Sequence, residues 1–164
     1  LRISLQRILL VVLVGVAVLY FAFPARAAES CAWVTEMQED EGGSVLTTST
    51  CSEDASQTPL QFRCFGDMLL IEFDLAIGSE APAEGDEAAE VAFVVDGGTQ
   101  TVPMQFVEMT AFFAGEVPLD GPLTKLLKSG ESLEVRDTAG VYQPKTYSLA
   151  GSSAALKALV DACY

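Results

Sequence analysis

Apolar and polar positions alternate most regularly between residues 60 and 77. Leu60, Phe62 and Cys64 fall on one side of an extended chain, and Gln61 and Arg63 fall on the other. After a turn at Phe65-Gly66-Asp67 the alternation resumes: Leu69, Ile71, Phe73, Leu75 and Ile77 oppose Leu70, Glu72, Asp74 and Ala76. This is the best strand of the chain, with the apolar set predicted to face a core. Upstream, residues 31–37 and the β-branched run 44–50 read as two strands about a polar turn at 38–43. Downstream, residues 91–96 and 99–106 read as a hairpin whose Asp96-Gly97-Gly98 turn supplies positive φ angles. Pro103 implies a sheet edge or a bulge there, and residues 107–113 are expected to continue as strand. Residues 131–136 and 145–149 make a last strand pair about a turn at 138–140.

Two segments change period from two to 3.6. Residues 120–130 predict a short helix with Asp120 as cap, Pro122 in the first turn, Leu123, Leu126 and Leu127 on one face, and Gly130 as the stop. Residues 152–163 predict a closing helix capped by Ser152 or Ser153, with Leu156, Leu159, Val160 and Cys163 on one face. Cys64 and Cys163 therefore both point inward, and Cys31 and Cys51 lie opposite each other across the first hairpin. Of the three connectivities open to four cysteines, Cys31–Cys51 and Cys64–Cys163 are expected. The fold class that follows is α+β: a mainly antiparallel β sandwich or open barrel with two short helices, stapled by disulfides.

The amino terminus supplies an address. Sixteen apolar residues, 8–23, follow Arg2 and Arg7 and precede Ala25-Arg26-Ala27. A basic start, an apolar centre and small residues two apart read as a secretory signal peptide, residues 1–27, followed by a single exported β-rich domain, residues 28–164. The competing reading is an uncleaved anchor, although a spanning helix wants roughly 20 apolar residues. Ala28-Glu29-Ser30 before Cys31 does not suit a lipidated cysteine. Export matches the even cysteine count, since disulfides persist in oxidising compartments. Metal binding by these cysteines is the weaker alternative, because their spacing is wide and the chain has no histidine.

Removing the leader takes the basic residues from 9 to 6 against 23 acids, a formal charge of −17. Such a surface repels nucleic acid and anionic lipid, favours solubility, and would attract cationic partners. The richest acidic stretch, residues 78–90, lacks the alternate ligand spacing of a dedicated calcium loop and reads as a solvated loop.

Candidate chemistry is sparse. Without histidine there is no Ser-His-Asp or Cys-His pair. Glu72 and Asp74 share a face of the best strand, with Glu108 as a further carboxylate; a solvated sheet face is the expected role. Ser153 and Lys157 stand one helical turn apart, but capping and solvation explain them better. Trp33, Tyr142, Tyr147 and Tyr164 are the aromatics with polar tips, and core packing is expected of Trp33. Gly42-Gly43 and Gly97-Gly98 are hairpin glycines rather than phosphate loops.

The layout of Trp33, Leu60-Gln-Phe-Arg-Cys64, the alternating run 69–77 and the final Gly151-Ser-Ser-Ala-Ala-Leu156 through Leu159 to Cys163 resembles the invasion-associated locus B family and related small exported proteins of Gram-negative bacteria. The resemblance spans most of the mature chain and rests on structural motifs. The Cys31 and Cys51 pair and the acidic stretch depart from it. It implies an envelope role and transfers no catalytic residue. The expectation is a non-enzymatic periplasmic or secreted module, without a cofactor, that binds a protein partner in host interaction or envelope stress. The alternatives are an acidic inhibitor of a cationic enzyme such as lysozyme, and an accessory subunit of a membrane complex anchored by its leader.

Overall fold

A computed structural model of the chain describes residues 31–40, 42–54, 56–76 and 87–163. The expected signal peptide, Ile77, Tyr164 and most of the acidic stretch lie outside the described residues. The first hairpin joins β1 (Val34–Asp40) to β2 (Gly43–Cys51), with Asp40 opposite Gly43. It is longer than its sequence suggests, because Gln38, Glu39 and Asp40 pair as strand instead of turning. β3 (Pro59–Phe65) and β4 (Met68–Phe73) form the next hairpin. Its alternation is as predicted: Leu60, Phe62, Leu69, Ile71 and Phe73 are all buried. β4 ends at Phe73, so Asp74 and the buried Leu75 lie beyond the strand.

β5 (Ala88–Val95) begins inside the stretch expected to be loop, and it turns at Asp96-Gly97 into β6 (Gly98–Val107). Both turn residues have positive φ, 47° and 90°, as a two-residue hairpin turn demands. β6 does not run on through residues 107–113. The chain turns at residues 108–111, where the amides of Thr110 and Ala111 both donate to the Val107 carbonyl, and returns as β7 (Phe112–Pro118). The turn contains no glycine; Ala111 itself takes the left-handed conformation, φ 57°.

The nine strands make one antiparallel sheet in the order β1-β2-β3-β4-β7-β6-β5-β8-β9, with β8 at Ser132–Asp137 and β9 at Lys145–Ser148. Pro103 is inside this sheet, not at its outer edge. Its neighbour across the ladder is Glu90, whose carbonyl accepts from Thr138 on the β8 side. Pro103 therefore directs its missing donor toward β7. Pairing of β6 with β7 is confined to the three pairs from Gln105–Ala114 to Val107–Phe112. The proline thus sits where two neighbouring strands part, a local edge within the sheet.

The sheet curls until β9 meets the β2–β3 connection and Trp33. The Glu53 amide, in the β2–β3 connection, donates to the Thr146 carbonyl of β9 at 2.9 Å. The Trp33 indole donates to the Ser148 carbonyl at 2.8 Å while its ring packs on Phe62, centroids 5.7 Å apart. The enclosed face holds the core: Phe62, Phe73, Phe93, Phe113 and Tyr147 are fully buried.

Two helices fill the open side. α1 (Pro122–Ser129) lies by β5–β7, and α2 (Ser152–Ala162) packs on β1–β3. Neither has the side-chain cap expected. Gly121, not Asp120, is the capping residue of α1, and Gly151, with φ 95°, precedes α2. Ser152 is buried and its hydroxyl donates to the Leu127 carbonyl of α1 at 2.6 Å, so the serine ties one helix to the other. Leu156, Leu159 and Val160 face inward as expected. Cys163 bonds to Cys64, and Cys31 to Cys51. Among the described residues no helix is long and apolar enough to cross a membrane.

Candidate functional site

The outer face of β2, β3, β4 and β7 carries a groove of about 530 Å³. Residues that alternate away from the core supply its floor: Thr47, Gln61, Arg63, Leu70, Glu72 and Ala114. One wall is the far end of the first hairpin, with Gln38, Glu39 and Val45. The other is the β6–β7 turn, with Val107, Met109 and Phe112.

Arg63 and Glu72 dominate the floor. The register sets Arg63 opposite Leu70 and Glu72 opposite Gln61, so the two are diagonal neighbours on one face. The guanidinium meets both carboxylate oxygens, Nε to Oε2 at 3.0 Å and Nη2 to Oε1 at 3.1 Å. This fork is the strong geometry for such a pair. Glu72 is only 6% exposed. The expectation of a solvated Glu72 sharing a face with Asp74 is therefore corrected: its partner is a guanidinium, and Asp74 lies off the strand. The burial follows from the groove walls, which the sequence pattern of β4 alone does not reveal.

Above this ion pair the β6–β7 wall carries exposed apolar side chains, facing the more polar wall of Gln38 and Glu39. Met109 is 86% exposed and Val107 37%. A thioether held out to solvent by the β6–β7 turn, beside partly covered Phe112 and Leu70, is the kind of apolar patch with a polar surround that marks a contact surface.

A second polar cluster closes the sheet. Lys145 of β9 points inward, is 4% exposed, and reaches Asp54 Oδ2 and Ser56 Oγ, each at 3.3 Å. Asp54 also accepts from the Ser52 hydroxyl at 2.8 Å, the Ser56 amide at 3.0 Å and, very closely, the Ser56 hydroxyl. The Ser56 hydroxyl, opposed by burial and then helped by the Ser52 hydroxyl and the Lys145 ammonium, holds the Asp54 carboxyl well below the usual carboxylate range. Ser56 beside Lys145 has the elements of a serine–lysine pair, but the ammonium directs its protons at Asp54 and Ser56 and serves as a donor that locks the loop. Tyr147, next on the inner face, has no hydrogen-bond partner for its hydroxyl among the described residues, and burial pushes its pKa up.

A third cluster shapes the β8–β9 connection. Buried Asp137 accepts from the amides of Ala139 at 2.9 Å and Val141 at 2.6 Å. Tyr142 donates to Glu87 at 2.7 Å, and burial followed by that carboxylate pushes its phenol up to about 12.

Of the other sequence candidates, Lys157 pairs with Asp161 on the exposed side of α2, and Ser153 is exposed beside it. The four cysteines are all in disulfides. Among the described residues no group of three or more His, Cys, Asp or Glu side chains is placed to hold a metal. The groove was missed in the sequence because one of its walls is the unexpected β6–β7 turn; the signal available was Met109 between Glu108 and Thr110, an apolar residue off any periodic stripe.

No protein-family model matches the chain, and neither a curated protein nor a solved structure matches it. What the fold and the sites define is a class: a disulfide-stapled antiparallel β domain of an oxidising, non-cytoplasmic environment.

Proposed function

We propose that the chain is a non-enzymatic protein-binding module of the periplasm or the extracellular space, serving in host interaction or envelope stress as the resemblance to the invasion-associated locus B family implies. The observation that carries this reading is the groove beneath Met109. Its apolar rim offers contact area that a water-exposed surface gains by covering, and its Arg63–Glu72 floor offers oriented polar groups for register.

The test is a photo-crosslinking amino acid at position 109, with position 136, exposed on β8 three strands beyond β7, as control, both in the native host. The expected result is a discrete protein adduct from position 109 alone, lost when Val107 is also changed to Glu. Equal adducts from both positions would count against the groove.

The acid excess favours one further reading, an inhibitor of a cationic enzyme such as lysozyme. Lysozyme activity titrated with the purified protein at low and at high salt tests it; inhibition at low salt that fades at high salt is the supporting outcome.

A further inference from the structure

The two ends of the sheet are treated differently. β9 is four residues long, and its outer side is met by the Glu53 amide at Thr146 and the Trp33 indole at Ser148. β1 is seven residues long and is the terminal strand at the other end; among the described residues only β2 pairs with it. A terminal strand offers a row of backbone donors and acceptors to any chain that can lie beside it. Natural sheets blunt such edges with short strands, prolines or charged side chains. β1 is long and has no proline, and its charges are all acidic, which bars an acidic strand but not a basic one. Its side chains are graded by face. Thr35 and Met37 share the inner face, opposite Thr48 and Leu46, while Glu36 lies opposite Thr47 on the outer face. Met37 is 59% exposed and Val34 44%, and Glu36 and Glu39 are exposed beside them.

We propose that β1 is a strand-addition edge for a basic, extended segment of a partner protein, one that alternates basic and aliphatic side chains. Charge chooses between the two candidate occupants. A second copy would bring three acids in seven residues, Glu36, Glu39 and Asp40, with no base in the strand, and the mature chain carries a formal charge of −17. Two such edges repel each other. A basic strand would set cations beside Glu36 on the outer face and aliphatic groups beside Met37 on the inner face, while main-chain hydrogen bonds extend the ladder. The biological use of this edge rests on the protein-binding reading above; the edge adjoins the groove at Gln38 and Glu39, and the Met109 rim lies on the opposite wall.

The experiment uses the disulfide-bonded protein from residue 28 onward and three synthetic peptides: alternating lysine and valine, the same peptide with prolines in place of two valines, and alternating glutamate and valine. Binding is followed by amide chemical shifts and by hydrogen exchange. The expected result is that the lysine–valine peptide alone binds, protects amides of residues 34–40, and weakens as salt is added. In the E36K variant its affinity should fall several-fold or more, with the thermal transition retained; Met109→Glu should leave it unchanged. Binding of the proline peptide within about twofold of its parent would overturn strand addition in favour of unspecific attraction. Protection of the same amides by self-association without peptide would overturn the choice of occupant. Failure of all three peptides, with crosslinking at position 109 intact, would sink the edge proposal and spare the groove.

Discussion

Gly130 ends α1 at φ −87°, a conformation open to any residue. The glycine is there for space. A Cβ would meet Val95 Cγ1 at 2.1 Å and Leu149 Cδ1 at 3.1 Å. Gly140 is the opposite case: its φ is +73° and nothing stands within 4 Å of an added Cβ. Two glycines that look alike in the sequence therefore fail for different reasons. Gly130→Ala should cost about 1–3 kcal/mol through overpacking, and the loss should shrink when Val95→Ala is added. Gly140→Ala should cost about 1–2 kcal/mol through left-handed strain, with no relief from Val95→Ala. Urea denaturation of the four variants checks this; a loss at Gly130 indifferent to Val95 would refute the packing account. The same gap between type and role explains the helix caps. Ser152 has the right chemistry to cap α2, but the Leu127 carbonyl lies 2.6 Å from its hydroxyl, and that neighbour comes from 25 residues away.

Elements differ in how much of their own boundary they encode. β3 and β4 were legible because Leu60, Phe62, Leu69, Ile71 and Phe73 alternate and all bury. β7 was not, because the turn before it holds Glu108-Met109-Thr110-Ala111, none of which announces a reversal. The turn forms because Phe113 and Val117 find the core as partners of β4, which offsets the cost of a left-handed Ala111. The groove went unseen for the same reason, since Met109 and Val107 belong to that turn. The disulfides were legible because each cysteine inherits the facing of its element. They should contribute unequally. Cys64–Cys163 closes a separation of 99 residues and Cys31–Cys51 one of 20. By loop entropy these correspond to about 4.7 and about 3.3 kcal/mol. The Cys64→Ala/Cys163→Ala variant should therefore unfold at lower urea than Cys31→Ala/Cys51→Ala, and the reverse order would show that the closing helix is held by packing rather than by its bridge.

At the scale of the whole molecule, the closure of the curled sheet hangs on Lys145, Asp54 and the Glu53–Thr146 backbone bond. Asp54 titrates below its unfolded counterpart, so its contribution is complete above the usual carboxylate pKa and is lost as pH falls through the lower folded value. Asp54→Asn should lower the melting temperature at neutral pH, and the gap to the parent should narrow between about pH 4 and pH 2. A gap constant across that range would mean that Ser56, Ser52 and Lys145 do not favour the charged form of Asp54, and would refute this account. The excess of acids acts in the other direction over the whole surface.

The sequence by itself determined the strand and helix periods, the inward facing of Cys64 and Cys163, the pairing across the first hairpin, and the apolar stripe of α2. These follow from backbone geometry within a single element, where two residues per strand repeat or 3.6 per helical turn decide which side chains share a face. Only the tertiary structure decided where β6 turns back, why Pro103 is tolerated inside a sheet, that Glu72 is buried against Arg63, and that Lys145 meets Asp54 to close the curl. Each of these is a contact between residues distant in the chain, and its free energy exists only once the strand order has brought them together.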